Sequence, residues 1–266
     1  MGQLDELRYE PTDKRIRAQI GDRAVVDSER TLLAWEPKRV VPSYAVPEEE
    51  IRAELVPAEQ DGGASDLPEG PRLGERPVYD PTVPFAFHTA GGDRLDLRLG
   101  QERRHDAAFR PADPALDGYV ILDFGAFDAW FEEDERNVSH PRDPFHRIDI
   151  VHSSRHVRVE RDGCVLAESR SPVLLFEPPL PVRYYLPSAD VNTELFRPSA
   201  TRTYCAYKGQ ASYWSLDDEP DIAWTYPDPL REASEVTDRI AFFNERLDLV
   251  IDGRRLERPV TPWSRG

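Results

Sequence analysis

Cysteine is almost missing from this 266-residue chain: Cys164 and Cys205 are the only two, too few for a disulfide framework or a four-thiolate zinc site. Lysine is nearly as scarce, since of 34 basic residues only Lys14, Lys38 and Lys208 are not arginine. No apolar run approaches the roughly 20 residues that span a bilayer, and residues 1–13 carry no apolar h-region, so neither a membrane partner nor a classical secretion signal is expected. Positive charge is in deficit: 50 acidic residues against 34 basic ones leave a formal net charge of −16, which repels nucleic acid and anionic lipid and excludes a general polynucleotide binder. Reduced thiols without a leader fit the cytoplasm. Walker loop, Rossmann fingerprint, nucleophile elbow and HExxH pair are all lacking, and no cofactor is expected.

What the chain does have is a repeat. Residues 17–28 align with 158–169, residues 33–37 with 174–178, Tyr44 with Tyr185, residues 51–55 with 191–195, and residues 120–128 with 240–248. Self-similarity at domain length is the mark of a tandem duplication. The organisation read from it is a tail over 1–14, a degenerate first repeat over 15–150, a second repeat over 151–260 and a tail over 261–266. Residues 58–84 form an insertion rich in Gly, Pro, Asp and Glu, read as a mobile surface loop because it has little apolar surface to bury. The middle of the first repeat, residues 88–96, lacks the thiol, lysine and tryptophan that the second repeat carries there, so site chemistry is expected in the second.

Short alternating segments bounded by Asp-Gly and Pro-rich turns predict a mainly β fold of two tandem domains built from short, coiled antiparallel strands. Asp162-Gly163 marks a hairpin. Alternation over 211–216 sets Ser212, Trp214 and Leu216 on one face and Ala211, Tyr213 and Ser215 on the other, and Trp224 shares a face with Tyr226. Asp228 with Pro229 predicts the capped start of a short helix whose buried stripe is Leu230, Ala233, Val236, Ile240 and Phe243.

Residues 204–214 concentrate a thiol, an ammonium, a glycine and four aromatic rings. Lys208 is the sharpest candidate, because a chain that otherwise writes Arg has kept a compact, titratable ammonium here. With Arg183 it could clamp a phosphate or carboxylate; the alternative is two ordinary surface charges, and the rarity of lysine favours the clamp. Cys205 reads either as a thiolate held by a neighbouring cation or as a buried structural cysteine. Tyr185, Tyr213, Trp214, Trp224 and Tyr226 could wall a flat ligand, or simply fill a small β core. Glu177 recurs as Glu36 and reads as structural; Asp190 reads as a cap. His140, His146, His152 and His156 lie near the join, but strand patterns separate His152 from His156, so no metal site is expected.

These motifs resemble a bacterial family known as domain of unknown function 427, which also carries a nucleotidyltransferase-like label. The matching residues are Asp162-Gly163, Phe176-Glu177, Tyr184-Tyr185, Asp190-Val191, Cys205, Tyr207-Lys208-Gly209, residues 211–214, residues 223–226 and Phe242-Phe243, with residues 128–134 and 140–144 similar to the join of two-copy members. The resemblance implies a β-tent fold, as in methionine sulfoxide reductase B and the drug-binding domain of cereblon, without their four-cysteine zinc site. It brings no established activity. The expectation is a protein that binds, and in an enzymatic form transforms, a small anionic or aromatic molecule at Cys205 and Lys208 of the second repeat. The alternative is a non-catalytic interaction scaffold. Self-association into a homo-oligomer is left open.

Overall fold

The computed structural model describes residues 4–58, 72–73, 76–178, 180–261 and 263–264. The chain divides into two compact units, Met1–Asp143 and Pro144–Gly266. Unit one contains β1 (Arg8–Pro11), β2 (Ile16–Ile20), β3 (Arg23–Ser28), β4 (Leu32–Trp35), β5 (Ser43–Pro47), β6 (Glu54–Pro57), β7 (Arg72–Leu73), β8 (Arg76–Pro77), β9 (Gly92–Leu99), β10 (Glu102–Pro111), β11 (Tyr119–Leu122), β12 (Ala129–Glu132) and β13 (Glu135–Asn137). Unit two contains β14 (Asp149–His152), β15 (Val157–Arg161), β16 (Cys164–Ser169), β17 (Val173–Phe176), β18 (Arg183–Pro187), β19 (Arg197–Cys205), β20 (Gly209–Ser215), β21 (Ala223–Thr225), β22 (Arg239–Phe242), β23 (Asp248–Ile251) and β24 (Arg254–Arg255). The fold is mainly β, and the strand pairs are antiparallel.

Each unit holds a seven-stranded and a four-stranded sheet, and their orders correspond strand for strand. Unit one runs β1-β4-β5-β11-β10-β9-β6 and β13-β12-β2-β3; unit two runs β14-β17-β18-β22-β21-β20-β19 and β24-β23-β15-β16. Register refines the alignment read from sequence. Tyr44 lies opposite Leu33 and Tyr184 opposite Leu174, so Tyr184, not Tyr185, matches Tyr44, and Tyr185 matches Ala45. The one-residue slip comes from a turn shorter by one residue before β18, and in a strand it moves a side chain to the other face.

Alternation divides the residues of unit two's large sheet between two clusters. Leu186, Ala223, Ile240 and Phe242 pack with Val157, Val159, Leu249 and Ile251 of the small sheet. Tyr185, Ala211, Trp224 and Ala241 join Tyr226, Ala233 and Val236 in a second cluster. Asp162 and Gly163 both take positive φ, 49° and 81°, the geometry of a type I′ hairpin turn.

Four expectations are corrected. The predicted helix is a 3-10 stretch over Arg231–Val236, kinked at Ala233 and without a side-chain cap from Asp228. It ends at Thr237, whose ψ of 138° is no longer helical, and Ile240 belongs to β22, where sheet pairing outcompetes helical periodicity. The presumed N-terminal tail contributes β1, paired with β4, and Asp149–His152 pairs with β17 of unit two. Of the insertion, residues 59–71 and 74–75 lie outside the described residues. Its last part is packed rather than loose: Val78, Tyr79 and Val83 are buried, and Tyr79 exchanges backbone hydrogen bonds with Lys38 and Val40.

Candidate functional site

β19 and β20 form a hairpin in which Cys205 pairs with Gly209, leaving Ala206, Tyr207 and Lys208 as a three-residue loop closed by a left-handed Gly209 at φ 89°, the usual solution for this loop length. A Cβ at Gly209 would lie 3.4 Å from both the Asp228 carbonyl oxygen and Leu230 Cγ. The Leu230 amide donates to the Lys208 carbonyl at 3.2 Å. The loop is therefore pinned against the segment that follows β21, and this drives Lys208 inward.

Lys208 is only 7% exposed. Its Nζ donates to Glu177 Oε2 at 2.6 Å. Burial opposes the ammonium charge, but the anionic forms of Cys205, Glu177 and Tyr185 and the Glu177 hydrogen bond outweigh it, so the lysine pKa is raised. Cys205 is half-buried, its Sγ accepting from the Tyr207 amide at 3.5 Å. Tyr185 Oη accepts from Trp224 Nε1 at 3.1 Å, and burial pushes its pKa up to about 12. Burial also raises Tyr213 and Tyr226. Tyr213 Oη lies 2.8 Å from Thr203 Oγ1. The Arg147 guanidinium sits 5.2 Å from the Tyr207 ring centroid.

Arg183 is not a free anion clamp. It makes a bidentate pair with Glu245, 2.7 Å to each oxygen, and donates to Asn244 Oδ1. Its guanidinium lies 5.4 Å from Trp224, 5.6 Å from Phe243 and 5.7 Å from Trp263. Burial would raise the Glu245 pKa, yet the Arg183 and Thr261 contacts hold it below the ordinary range. Thr261 and Trp263 thus complete a site from a stretch that the sequence suggested was a tail.

Lys208, Glu177, Cys205, Tyr185, Tyr213, Trp224 and Tyr226 are brought together. Trp214 is not: it packs against the other cluster, beside Leu216 and Ile222, with its Nε1 buried and unpartnered among the described residues. Asp190 accepts from Ser169 Oγ at 2.6 Å. His152 and His156 bond different acids, Glu235 and Glu168. Glu245, Arg147 and Trp263 were missed from sequence, having no motif of their own.

Unit one retains more than the alignment suggested. Glu36, the counterpart of Glu177, lies 2.9 Å from His88 Nδ1 and accepts from the Thr89 and Ala90 amides at 2.9 and 3.1 Å. Because the carboxylate only accepts, His88 carries its proton on Nδ1. The imidazole stacks on Phe109, centroids 3.8 Å apart. Phe109 pairs with Ile121 as Trp224 pairs with Ala241. Ala45, which stands where unit two has Tyr185, packs in the same cluster as Phe109. A carboxylate thus meets a nitrogen-bearing side chain in both units, an imidazole at Glu36 and an ammonium at Glu177.

No curated protein matches the sequence. Residues 149–253 match the model of a family described as a domain of unknown function (DUF427), a span that includes Glu177, Arg183, Lys208 and Glu245. The similarity to the DUF427 family therefore lies in the second unit.

Proposed function

We propose that unit two is a small-molecule-binding module whose recognition point is the Lys208–Glu177 pair, with Cys205 and Tyr213 at its rim. The observation that carries this reading is the buried lysine. Taking an ammonium and a carboxylate out of water costs several kcal/mol per ion, so such a pair is weak support for stability and better explained by a specific task. Glu177 takes one of three ammonium donors, which leaves Lys208 able to bind an acceptor oxygen. Both candidate cations are matched by carboxylates, the half-buried Glu177 and the buried Glu245. Of the two expected ligand classes, a small aromatic molecule with a carbonyl or hydroxyl oxygen is therefore favoured over a strong anion. In a catalytic form of this reading, Cys205 would be the nucleophile and Lys208 would hold its thiolate. Unit one is a diverged copy in which His88 stands for Lys208, and the two free thiols fit the cytoplasm.

A scaffold reading has one observation in its favour. The nine-residue β19 ends its sheet and is exposed at most positions, as a strand-adding partner would require.

Native mass spectrometry on protein from its own host separates the two readings. Binding predicts a retained mass of a small molecule on wild type that is lost from Lys208→Arg, whose planar fork cannot replace the ammonium. Absence of any retained mass, or retention unaffected by the substitution, leaves the scaffold reading in front.

A further inference from the structure

Most arginines with resolved contacts in this acidic chain are neutralised by neighbouring carboxylates, as in Arg15–Asp27, Arg110–Glu48 and Arg161–Asp218. Arg23 and Arg52 depart from that pattern. Neither side chain donates to a protein acceptor among the described residues, and the two line one open groove of about 670 Å³ in unit one. Arg98 also lines it, held by Glu54 at 2.5 Å, and so do the apolar Ile51 and Leu99. Counting Arg23, Arg52, Arg98 and Glu54, the groove carries a local charge of +2 on a chain of net charge −16.

The backbone fixes where these arginines stand. Arg23 opens β3, paired with Ile20. The Arg52 amide donates to the Val25 carbonyl at 2.8 Å, which ties the two arginines to the same short piece of sheet. In unit two the corresponding positions are read from the same contacts. Cys164 pairs with Arg161, and the Asn192 amide donates to the Leu166 carbonyl at 2.9 Å. Neither Cys164 nor Asn192 carries a positive charge, so the pair of cations is not a by-product of the shared topology.

We infer that the Arg23–Arg52 groove of unit one binds a small molecule bearing an oxyanion, a phosphate or carboxylate. Two guanidinium forks present the planar, paired donors that such oxygens accept. The volume is that of a small-molecule cleft. The surrounding negative charge screens out large polyanions while the local field favours a compact one.

Isothermal titration of the full-length protein at low ionic strength tests this, with inorganic pyrophosphate and citrate as separate probes. The expected result is one saturable site per chain for at least one probe, weakened at least tenfold by Arg23→Gln with Arg52→Gln and weakened by added salt. Pyrophosphate alone identifies a phosphate-bearing ligand, citrate alone a carboxylate-bearing one. A control pair, Arg170→Gln with Arg254→Gln, removes the same charge from unit two and should leave affinity within about twofold. No saturable heat with either probe overturns the inference. So does equal weakening by both double variants, which would make binding a matter of net charge. Melting curves verify that the variants are folded.

Discussion

Nζ of Lys208 and Oε2 of Glu177 stand 2.6 Å apart, and each is the other's compensation for leaving water. Removing one partner strands the other. Lys208→Met should therefore cost about 3–5 kcal/mol, while Lys208→Met combined with Glu177→Leu should recover much of that loss. Urea unfolding of the two variants and wild type measures the difference; a double variant as unstable as the single would show that the pair is held for geometry that apolar packing cannot replace.

Alkaline pH should destabilise unit two. Lys208 and Tyr185 both have pKa values raised on folding, the tyrosine to about 12. A raised group contributes its stability fully below its unfolded value, about 10 for both side chains, and loses it as pH climbs through the folded value. Melting temperature should fall from about pH 10 upward, and less steeply in Tyr185→Phe. Identical slopes for the two proteins would remove the tyrosine from the effect.

At the acid end the sign reverses. Glu245 is held below the ordinary carboxylate range by Arg183, so its contribution is present above about pH 4.3 and disappears as pH falls through its lower folded value. Glu245→Gln should flatten the acid decline of stability while lowering stability at pH 7. The pH dependence of urea midpoints reads both at once, and an acid limb unchanged in the variant would assign the decline to other carboxylates.

Glycine substitution separates backbone strain from crowding. Gly163 and Gly209 have similar φ, 81° and 89°, but a Cβ meets nothing within 4 Å at Gly163 and has neighbours at 3.4 Å at Gly209. Both Ala variants pay the left-handed penalty of roughly 1–2 kcal/mol, and Gly209→Ala should lose more. Equal drops in melting temperature would mean that the segment around Leu230 yields freely.

In unit one, His88→Ala removes a ring stacked on Phe109 and a partner of Glu36. The cavity left by a large buried side chain typically costs about 2–5 kcal/mol. Fluorescence of Trp35 and Trp130, both buried in unit one, follows its unfolding directly; a shift below about 0.5 kcal/mol, the scale of ordinary surface substitutions, would show that the space collapses around Phe109.

Much of the architecture could be read from residues alone. The Asp162-Gly163 turn and the split of Ala211 and Tyr213 from Trp214 follow from local backbone chemistry and period-two alternation, and both hold. The same alternation already separated Trp214 from Tyr213, yet the aromatic content of one segment suggested a single wall. The helix over Arg231–Val236 was overestimated because its apolar spacing continues into β22, where a strand's neighbours decide the conformation. Pairing partners distant in sequence were the hardest to see. Nothing local in Glu245 or Trp263 announces Arg183, and nothing in His88 announces Glu36, since each contact is created only when strands from far along the chain come side by side.

Every ladder described in the two sheets of unit one pairs strands that lie between Arg8 and Asn137. For a chain made from its N-terminus, this sets an order of events. The first unit can close its hydrogen bonds and bury its apolar residues while the Lys208 hairpin is still inside the ribosome, so the nascent chain need not wait for distant strands. A slow step in assembling β19 and β20 would then leave unit one folded and expose only the unfinished half to chaperones and proteases.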